Sequence, residues 1–469
     1  MARVVLALAC AAQFMVVLDV SVVNVALPAV QDDLGFTDAG LPWVAGAYTL
    51  AFAGFLLLGG RLADLAGAKR TFLLGLLLFC LPSLAGGLAT TPGLLVAARA
   101  AQGIGAAVLA PATLTIITTT IPEGPRRTRA LAVWTAVGLV GGASGNLVGG
   151  LLTEALSWRW ILLVNVPVGL AAAVLARRVP DGRRARARRL DVPGAAVATA
   201  GLSLLAFGIM QAESRGWTDA RTAGALGGAA VLLAALARIE ARAADPLVPP
   251  RLVRSRAIGL GNVLMLLAGA CFAVPMWYFL TLYMQDVLGF SALETGLGFL
   301  PHTLLTMLVG LQVTPRLMRR VDDRVLVAAG AAVAAAGFAW QSAAAGLAAG
   351  GGDASYVRDV LGPAVLVSVG GGLLNTPLTA TVTAGVAGRD AGAASGLMNT
   401  AKQVGGAVGL AALAAATATY GAAFLAMAAM LAVVAAASLA LPARRDAPDV
   451  RVPDGPPSAA DGTAARRPG

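Results

Sequence analysis

The sequence predicts an all-α, polytopic membrane protein with fourteen transmembrane helices, arranged as two six-helix bundles plus two inserted helices. Three observations predict it. The 469 residues are 58% hydrophobic and only 13% charged, whereas a soluble domain is close to half apolar and about a quarter charged. Apolar runs long enough to cross a bilayer follow one another along the chain. The basic residues gather in alternate loops between those runs, the distribution that orients a membrane protein.

Each element follows from an apolar run read with its flanks. In the first half the runs are Val4–Leu27, Leu41–Gly60, Phe72–Ala89, Gly93–Ile117, Ala130–Leu152, Trp160–Ala176 and Pro193–Met210. In the second half they are Thr222–Ile239, Ala257–Tyr283, Ala292–Val313, Val325–Ala349, Val360–Ala384, Ala391–Thr417 and Tyr420–Leu441. The first run is too long for the apolar core of a cleaved leader and contains Asp19, so a retained helix is expected. The arginine-rich stretch from Arg177 to Asp191 reads as a linker that closes the N-terminal bundle, residues 1–178. Residues 179–256 hold linkers and the two inserted helices, and residues 257–441 form the C-terminal bundle. Residues 442–469 are rich in Pro, Asp, Arg and Ala, and a disordered cytoplasmic tail is expected there. Cys10, Cys80 and Cys271 lie inside apolar runs, so no disulfide framework is expected.

The net charge of +11 comes almost wholly from arginine, with lysine only at Lys69 and Lys402. With the N-terminus in the cytoplasm, 29 of the 35 basic residues fall on the inner side; four (Arg159, Arg215, Arg221 and Arg358) are outer, and two (Arg99 and Lys402) lie inside runs. Miscounting one helix would invert every later loop, so both termini are expected inside. Topology therefore explains the charge, and no aromatic residues interleave with the arginines as a nucleic-acid stacking surface requires. Neither lysine sits in the G-K-[ST] pattern of a nucleotide-binding loop, which leaves an ion gradient as the drive. A single histidine and no clustered metal ligands argue against an enzyme, and neither a cofactor nor a metal is expected.

Four segments carry motifs. They are LDVSVVNVALP (Leu18–Pro28), GRLADLAGAKR (Gly60–Arg70), LVAARAAQGIGAA (Leu95–Ala107), and GGASGNLVGG (Gly141–Gly150) followed by SWRWILLVNVPVG (Ser157–Gly169). Together they resemble the fourteen-helix drug:proton antiporter branch of the major facilitator superfamily, and the segment Tyr283–Pro301 is similar to its counterpart there. The resemblance implies alternating access between two six-helix bundles. It also implies a charged latch at the inner gate for the loop holding Gly60, Asp64, Gly67, Lys69 and Arg70. Leu65 and Ala68 replace basic residues common in that loop. Read physically, Gly60 and Gly67 allow a tight turn, and Asp64 lies near the N-terminus of the third helix, where negative charge is favoured.

Arg99 stands about 9 Å inside the fourth helix and Asp19 about 13 Å below the same surface. A cation at that depth is costly and needs a partner. The two are expected to interact directly or through water, with Asp19 as the titratable group; resemblance adds that the motif arginine takes part in proton coupling. Ser21 and Asn24 cannot share a face with Asp19, and which face lines a cavity stays open. Gly141, Gly145 and Gly149 recur every four residues, with Gly150 next to the last, and this stripe lets another helix approach closely. Asn146 stands where the family motif has proline, which removes a possible kink and adds an amide. Lys402, flanked by Asn399 and Gln403, falls near the middle of its span. Gln102, His302 and Asn375 complete the candidates for a substrate cavity, with Asn24. Glu294 and Asp286 are expected at the outer mouth. Trp277, Tyr278 and Tyr283 read as an interfacial belt or as stacking walls for a substrate.

The expected function is proton-coupled efflux of amphipathic small molecules (drugs, antibiotics or secondary metabolites) across the bacterial cytoplasmic membrane, by a monomer whose partners are substrate, protons and lipid. One charge crossing 100 mV releases roughly 2.3 kcal/mol, enough for about a 50-fold gradient of a neutral solute. The alternative is a metabolite or sugar symporter or uniporter of the same superfamily, which the lost motif proline keeps open.

Overall fold

The computed structural model describes residues 2–38, 40–122, 124–177, 192–240, 252, 254–383, 386 and 391–443. Among the described residues all regular structure is helical. In the N-terminal half, α1 is Ala2–Leu34, α2 Pro42–Ala66, α3 Ala68–Gly87, α4 Pro92–Thr120, α5 Pro125–Ala155, α6 Trp160–Leu163 and α7 Asn165–Ala176. Helices α8 (Val192–Arg215) and α9 (Ala220–Glu240) follow. The C-terminal half contains α10 (Arg256–Phe272), α11 (Pro275–Leu282), α12 (Ala292–Gly298), α13 (Leu300–Leu308), α14 (Thr314–Leu317), α15 (Asp323–Ala349), α16 (Gly362–Thr383), α17 (Ala391–Ala416) and α18 (Tyr420–Ser438). Short π-helical stretches at Tyr283–Val287, Val309–Val313 and Val357–Leu361 join α11, α13, α14 and α16 into longer rods.

Local chemistry sets the boundaries. Prolines open α2, α4, α5 and α11, where the missing N–H costs nothing. The Thr91 hydroxyl caps α4 by accepting from Leu94 N, and Ser291 and Glu294 form a reciprocal capping box on α12. Gly67, at φ +89°, breaks α2 from α3 in a conformation that L side chains rarely adopt. Nine helices among the described residues are long and apolar enough to cross a bilayer; the pair Arg129–Gly142 and Ser144–Ala155, bent by 43°, brings the number to ten if read as one span. Pro42–Leu56, Trp160–Ala176 and Ala196–Ile209 are apolar but shorter. The linker and the tail expected around residues 178–191 and 444–469 lie outside the described residues.

Helix α1 packs on α5 and α4, α2 and α3 pack on α4, and α3 packs on α7. In the other half, α15 packs on α16 and α18, and α10 on α17. Helix α8 lies on α9 and touches both halves, at α2 and at α17. The loops carrying few basic residues all lie at one end, here the Arg-poor end. There the core of the C-terminal half continues into the N-terminal half through Val22 to Val30, Leu41, Leu95 and Ile161. Toward the Arg-rich end the N-terminal half has a separate cluster, including Leu8, Phe72, Ile117 and Ala176. Gln285 Nε2 donates to Val25 O at 2.9 Å and Leu293 N to Glu154 Oε2 at 3.1 Å, both across the halves at the Arg-poor end. The halves thus seal against each other at that end.

Candidate functional site

Two charged side chains meet inside the N-terminal half. Asp19 from α1 and Arg99 from α4 are 0% and 1% exposed, and Arg99 Nη1 donates to Asp19 Oδ2 at 2.5 Å. The second carboxylate oxygen accepts from Gln102 Nε2 at 2.7 Å and from Asn165 Nδ2 at 2.9 Å. Ser83 Oγ accepts from the same two amides and donates to Leu162 O. The guanidinium also donates to Val44 O and to Gln102 Oε1, and its carbon lies 4.4 Å from the centre of the Tyr48 ring. Side chains or carbonyls of six helices therefore converge on one ion pair. Burying both charges is tolerable because each is paired and hydrogen-bonded.

The expected contact between Asp19 and Arg99 is present, but its setting differs from the sequence estimate. Helix α1 continues through Pro28 to Leu34 and α4 starts at Pro92, so the shared depth comes from how the helices stack rather than from distances to the run ends. Gln102, expected at a substrate cavity, is 1% exposed and belongs to this sealed network. Sequence reasoning passed over Asn165, Ser83 and Tyr48; a polar amide in an otherwise apolar α7 was the available signal.

The glycine stripe of α5 packs against α1. A Cβ at Gly145 would come within 2.4 Å of Ser21 Cβ, and one at Gly149 within 2.5 Å of Val22 O; Gly141 lies over Phe14. Gly150 meets Ala292 O, and Gly296 of α12 meets Asn146 O, so α5 also joins the halves. Asn146 and Asn24 are buried, and each Oδ1 lacks a hydrogen-bond partner among the described residues.

In the C-terminal half, His302 is buried, with Nδ1 2.7 Å from Ser368 Oγ and the Trp277 ring edge-on at 5.3 Å. Tyr278 and Tyr283 are buried as well, which corrects the interfacial belt: Tyr283 packs on Tyr420 and Phe424 and donates to Asp359 within the C-terminal half. Glu294 is engaged as a helix cap, and Asp286 is exposed beside the Tyr420 hydroxyl. Asp359, which the sequence reading did not single out, is fully buried and accepts from Arg358 Nε, Ser355 N and Tyr283 Oη. Asn375 is half-buried, with Nδ2 3.5 Å from Gly371 O.

Lys402 stands apart. On α17, Gly405 and Gly409 face α10, Ala407 meets Leu50 of α2, and Ala411 meets Ile209 of α8. Lys402 lies on the α10 side as well, its carbonyl against Gly269, whereas Asn399 and Gln403 fall on the arc between the α10 and α2 contacts. Asn399 is exposed there, and Lys402 and Gln403 are half-buried. In the gate loop, Asp64 falls in the last turn of α2 rather than at the start of α3; its side chain lies outside the described residues. Gly60 and Lys69 are half-buried and Arg70 is exposed. A separate cavity of about 1080 Å³ lies between α2, α4 and α8, walled by Trp43, Phe55 and Phe207. Among the described residues no group of three metal-ligating side chains occurs.

Two helical halves closed at one end, with charges sealed inside one of them, define a membrane transport protein rather than an enzyme. The model of the Major Facilitator Superfamily matches residues 9–410, and the chain belongs to that superfamily. It is 56% identical to the cephamycin export protein of Amycolatopsis lactamdurans, over 93% of this chain and 92% of the relative. It is 43% identical to the puromycin resistance protein of Streptomyces alboniger, over 86% and 79%. The crystal structure of a POT peptide transporter in complex with sulfate is similar in fold, with a TM-score of 0.72 at 17% identity over 93% of this chain and 94% of that one.

Proposed function

We propose that the protein exports amphipathic small molecules, antibiotics among them, across the bacterial cytoplasmic membrane in exchange for protons. The relatives' roles in antibiotic export and resistance support the direction. The observation that carries proton coupling is the sealed Asp19–Arg99 pair. Protonating Asp19 removes the charge that holds Arg99 and leaves the guanidinium on Gln102, Val44 and Tyr48. Because the network ties α1, α2, α3, α4 and α7 together, a proton gained or lost there repacks the N-terminal half. Alternating access follows as the two halves rock about a site near the membrane midplane.

In this reading fourteen helices cross the bilayer, with both termini and the Arg-rich end in the cytoplasm. Residues 1–178 and 257–441 are the two bundles, and the helices within 179–256 are inserted between them. The structure then corresponds to the state open to the cytoplasm, and the protein works as a monomer. The loop Gly60 to Arg70, with Asp64, Gly67 and Lys69, latches the inner end when that end closes.

The test is puromycin and cephamycin accumulation in an efflux-deficient host, followed by transport into proteoliposomes under an imposed pH gradient. Accumulation of at least one compound is expected to fall on expression and to recover with an uncoupler. Asp19→Asn, folded and inserted, is expected to abolish gradient-driven transport. Gradient-driven transport by that variant at the wild-type rate would remove Asp19 as the proton site, and proton movement in the same direction as substrate would favour symport.

A further inference from the structure

We propose that the groove between α2, α4 and α8 holds a phospholipid of the leaflet at the Arg-poor end, its acyl chain lying along α4 and its phosphate meeting Arg215. The inference lies outside the export reading, because this groove is on the side of α4 turned away from the Asp19–Arg99 network.

The cavity there measures about 1080 Å³. Its wall on α4 is Gly93, Ala97, Ala100 and Ile104, which share one face of the helix. Gly93 and Gln102 fall on opposite sides of α4 at about 100° per residue. The stripe therefore faces away from Asp19 and Ser83, to which Gln102 donates. Gly93 and Ala97 are exposed, and a Cβ on Gly93 would meet nothing within 4 Å. Helix α8 packs on α2 and supplies the facing wall, the stripe Ala200, Leu204, Phe207 and Gln211. Trp43 of α2 meets Phe207 with ring centroids 6.0 Å apart. Between that ring pair and the small side chains of α4 a gap remains, open to the surface of the chain.

Length, polarity and charge identify the occupant. The stripe from Gly93 to Ile104 runs about 17 Å, close to one leaflet of a hydrocarbon core about 30 Å thick. Among the described residues no charged side chain lines the cavity, so its interior suits hydrocarbon. Thr37 and Gln211 place polar groups at the Arg-poor end, with Ser203 deeper. One turn beyond Gln211, in the last turn of α8, exposed Arg215 continues the same stripe and has no ion pair among the described residues. Two acids at that end are engaged: Asp38 accepts from Gln31 Nε2 at 2.8 Å and Asp219 from Arg221 N at 2.9 Å. Exposed Trp217 follows, at the level where aromatic rings meet headgroups. An apolar trough one leaflet deep, with a cation at its polar end, matches the tail and the phosphate of a phospholipid. The chain supplies the dispersion contacts that an empty gap would forfeit, and it joins the inserted pair α8 and α9 to the N-terminal half.

The experiment is native mass spectrometry of the full-length protein after exchange into a detergent that strips boundary lipid. The wild type is expected to retain one phospholipid per chain. A97W, which fills the α4 wall, is expected to lower that occupancy at least about tenfold. L77W, on the exposed face of α3, is expected to keep it. R215Q is expected to weaken retention about fivefold, the effect of one cation near the headgroups, and R215K to preserve it. A wild type that retains no phospholipid, or holds a different molecule there, overturns the inference. Equal retention by A97W and wild type, or equal loss in A97W and L77W, also overturns it, and undiminished retention by R215Q removes the phosphate contact. If A97W does not fold, the wild type decides, photolysed in nanodiscs with a phospholipid carrying a diazirine midway along its acyl chain. Labelling of Gly93–Ile104 and Ala200–Gln211 is expected to exceed that of the α3 face around Leu77 and Leu81 by at least about fivefold. Even labelling of these surfaces overturns the inference.

Discussion

The two halves treat buried charge in opposite ways. In the N-terminal half, Asp19 and Arg99 are paired, ringed by amides and closed to solvent. In the C-terminal half, Lys402 has no ion pair among the described residues, and its backbone packs against Gly269. A satisfied pair ties the helices that supply its partners, whereas an ion without a counter-charge ties none. The difference predicts unequal costs for removing the two charges.

The contrast breaks most sharply by truncation. Arg99→Leu leaves Asp19 as a buried carboxylate with only amide donors, and a loss of about 3–5 kcal/mol is expected, read as thermal unfolding in detergent. Lys402→Met removes a charge with no ion-pair partner among the described residues, and no loss of stability is expected. Equal destabilisation by the two would mean that Lys402 is paired and the comparison is false.

A smaller effect sharpens the same contrast by moving the halves. Gly150 of α5 lies against the backbone of Ala292, and a Cβ there would come within 2.4 Å of a carbonyl oxygen. Gly150→Leu is expected to cost about 1–3 kcal/mol in the closed Arg-poor end and so to shift the population toward opening there. In a cysteine-free background, a Lys402→Cys thiol should then react more slowly with a maleimide supplied from the Arg-rich side. An unchanged rate would show that the seal at Gly150 does not control access to position 402.

Much of this was legible in the sequence, for one reason: charge inside an apolar run is expensive enough to announce itself. Asp19, Arg99 and Lys402 were found that way. What surrounds them was not legible. Asn165 reaches Asp19 only because α7 packs on α3 beside α1, a tertiary fact with no local pattern. Trp277, Tyr278 and Tyr283 close an apolar segment, the same sequence signature that lipid-facing rings give, and only tertiary packing, such as Tyr283 on Tyr420 and Phe424, buries the two tyrosines. Sequence likewise placed Lys402 near mid-span but could not say that its backbone packs on Gly269.

The smallest expected effect concerns Asn146, where the family motif has proline. Its side-chain Oδ1 is buried without a hydrogen-bond partner among the described residues, and its carbonyl lies against Gly296 across the halves. An orphaned buried acceptor costs about 1–3 kcal/mol, and an apolar side chain in its place escapes that cost. Asn146→Ala should therefore raise stability by roughly 1 kcal/mol, allowing for the small cavity it leaves. The paired network around Asp19 makes none of these contacts and should be untouched, so proton-driven transport is expected to persist. Loss of transport with stability intact would instead make Asn146 part of the moving contact between the halves, and the polar replacement would then be a functional substitute for the motif's proline.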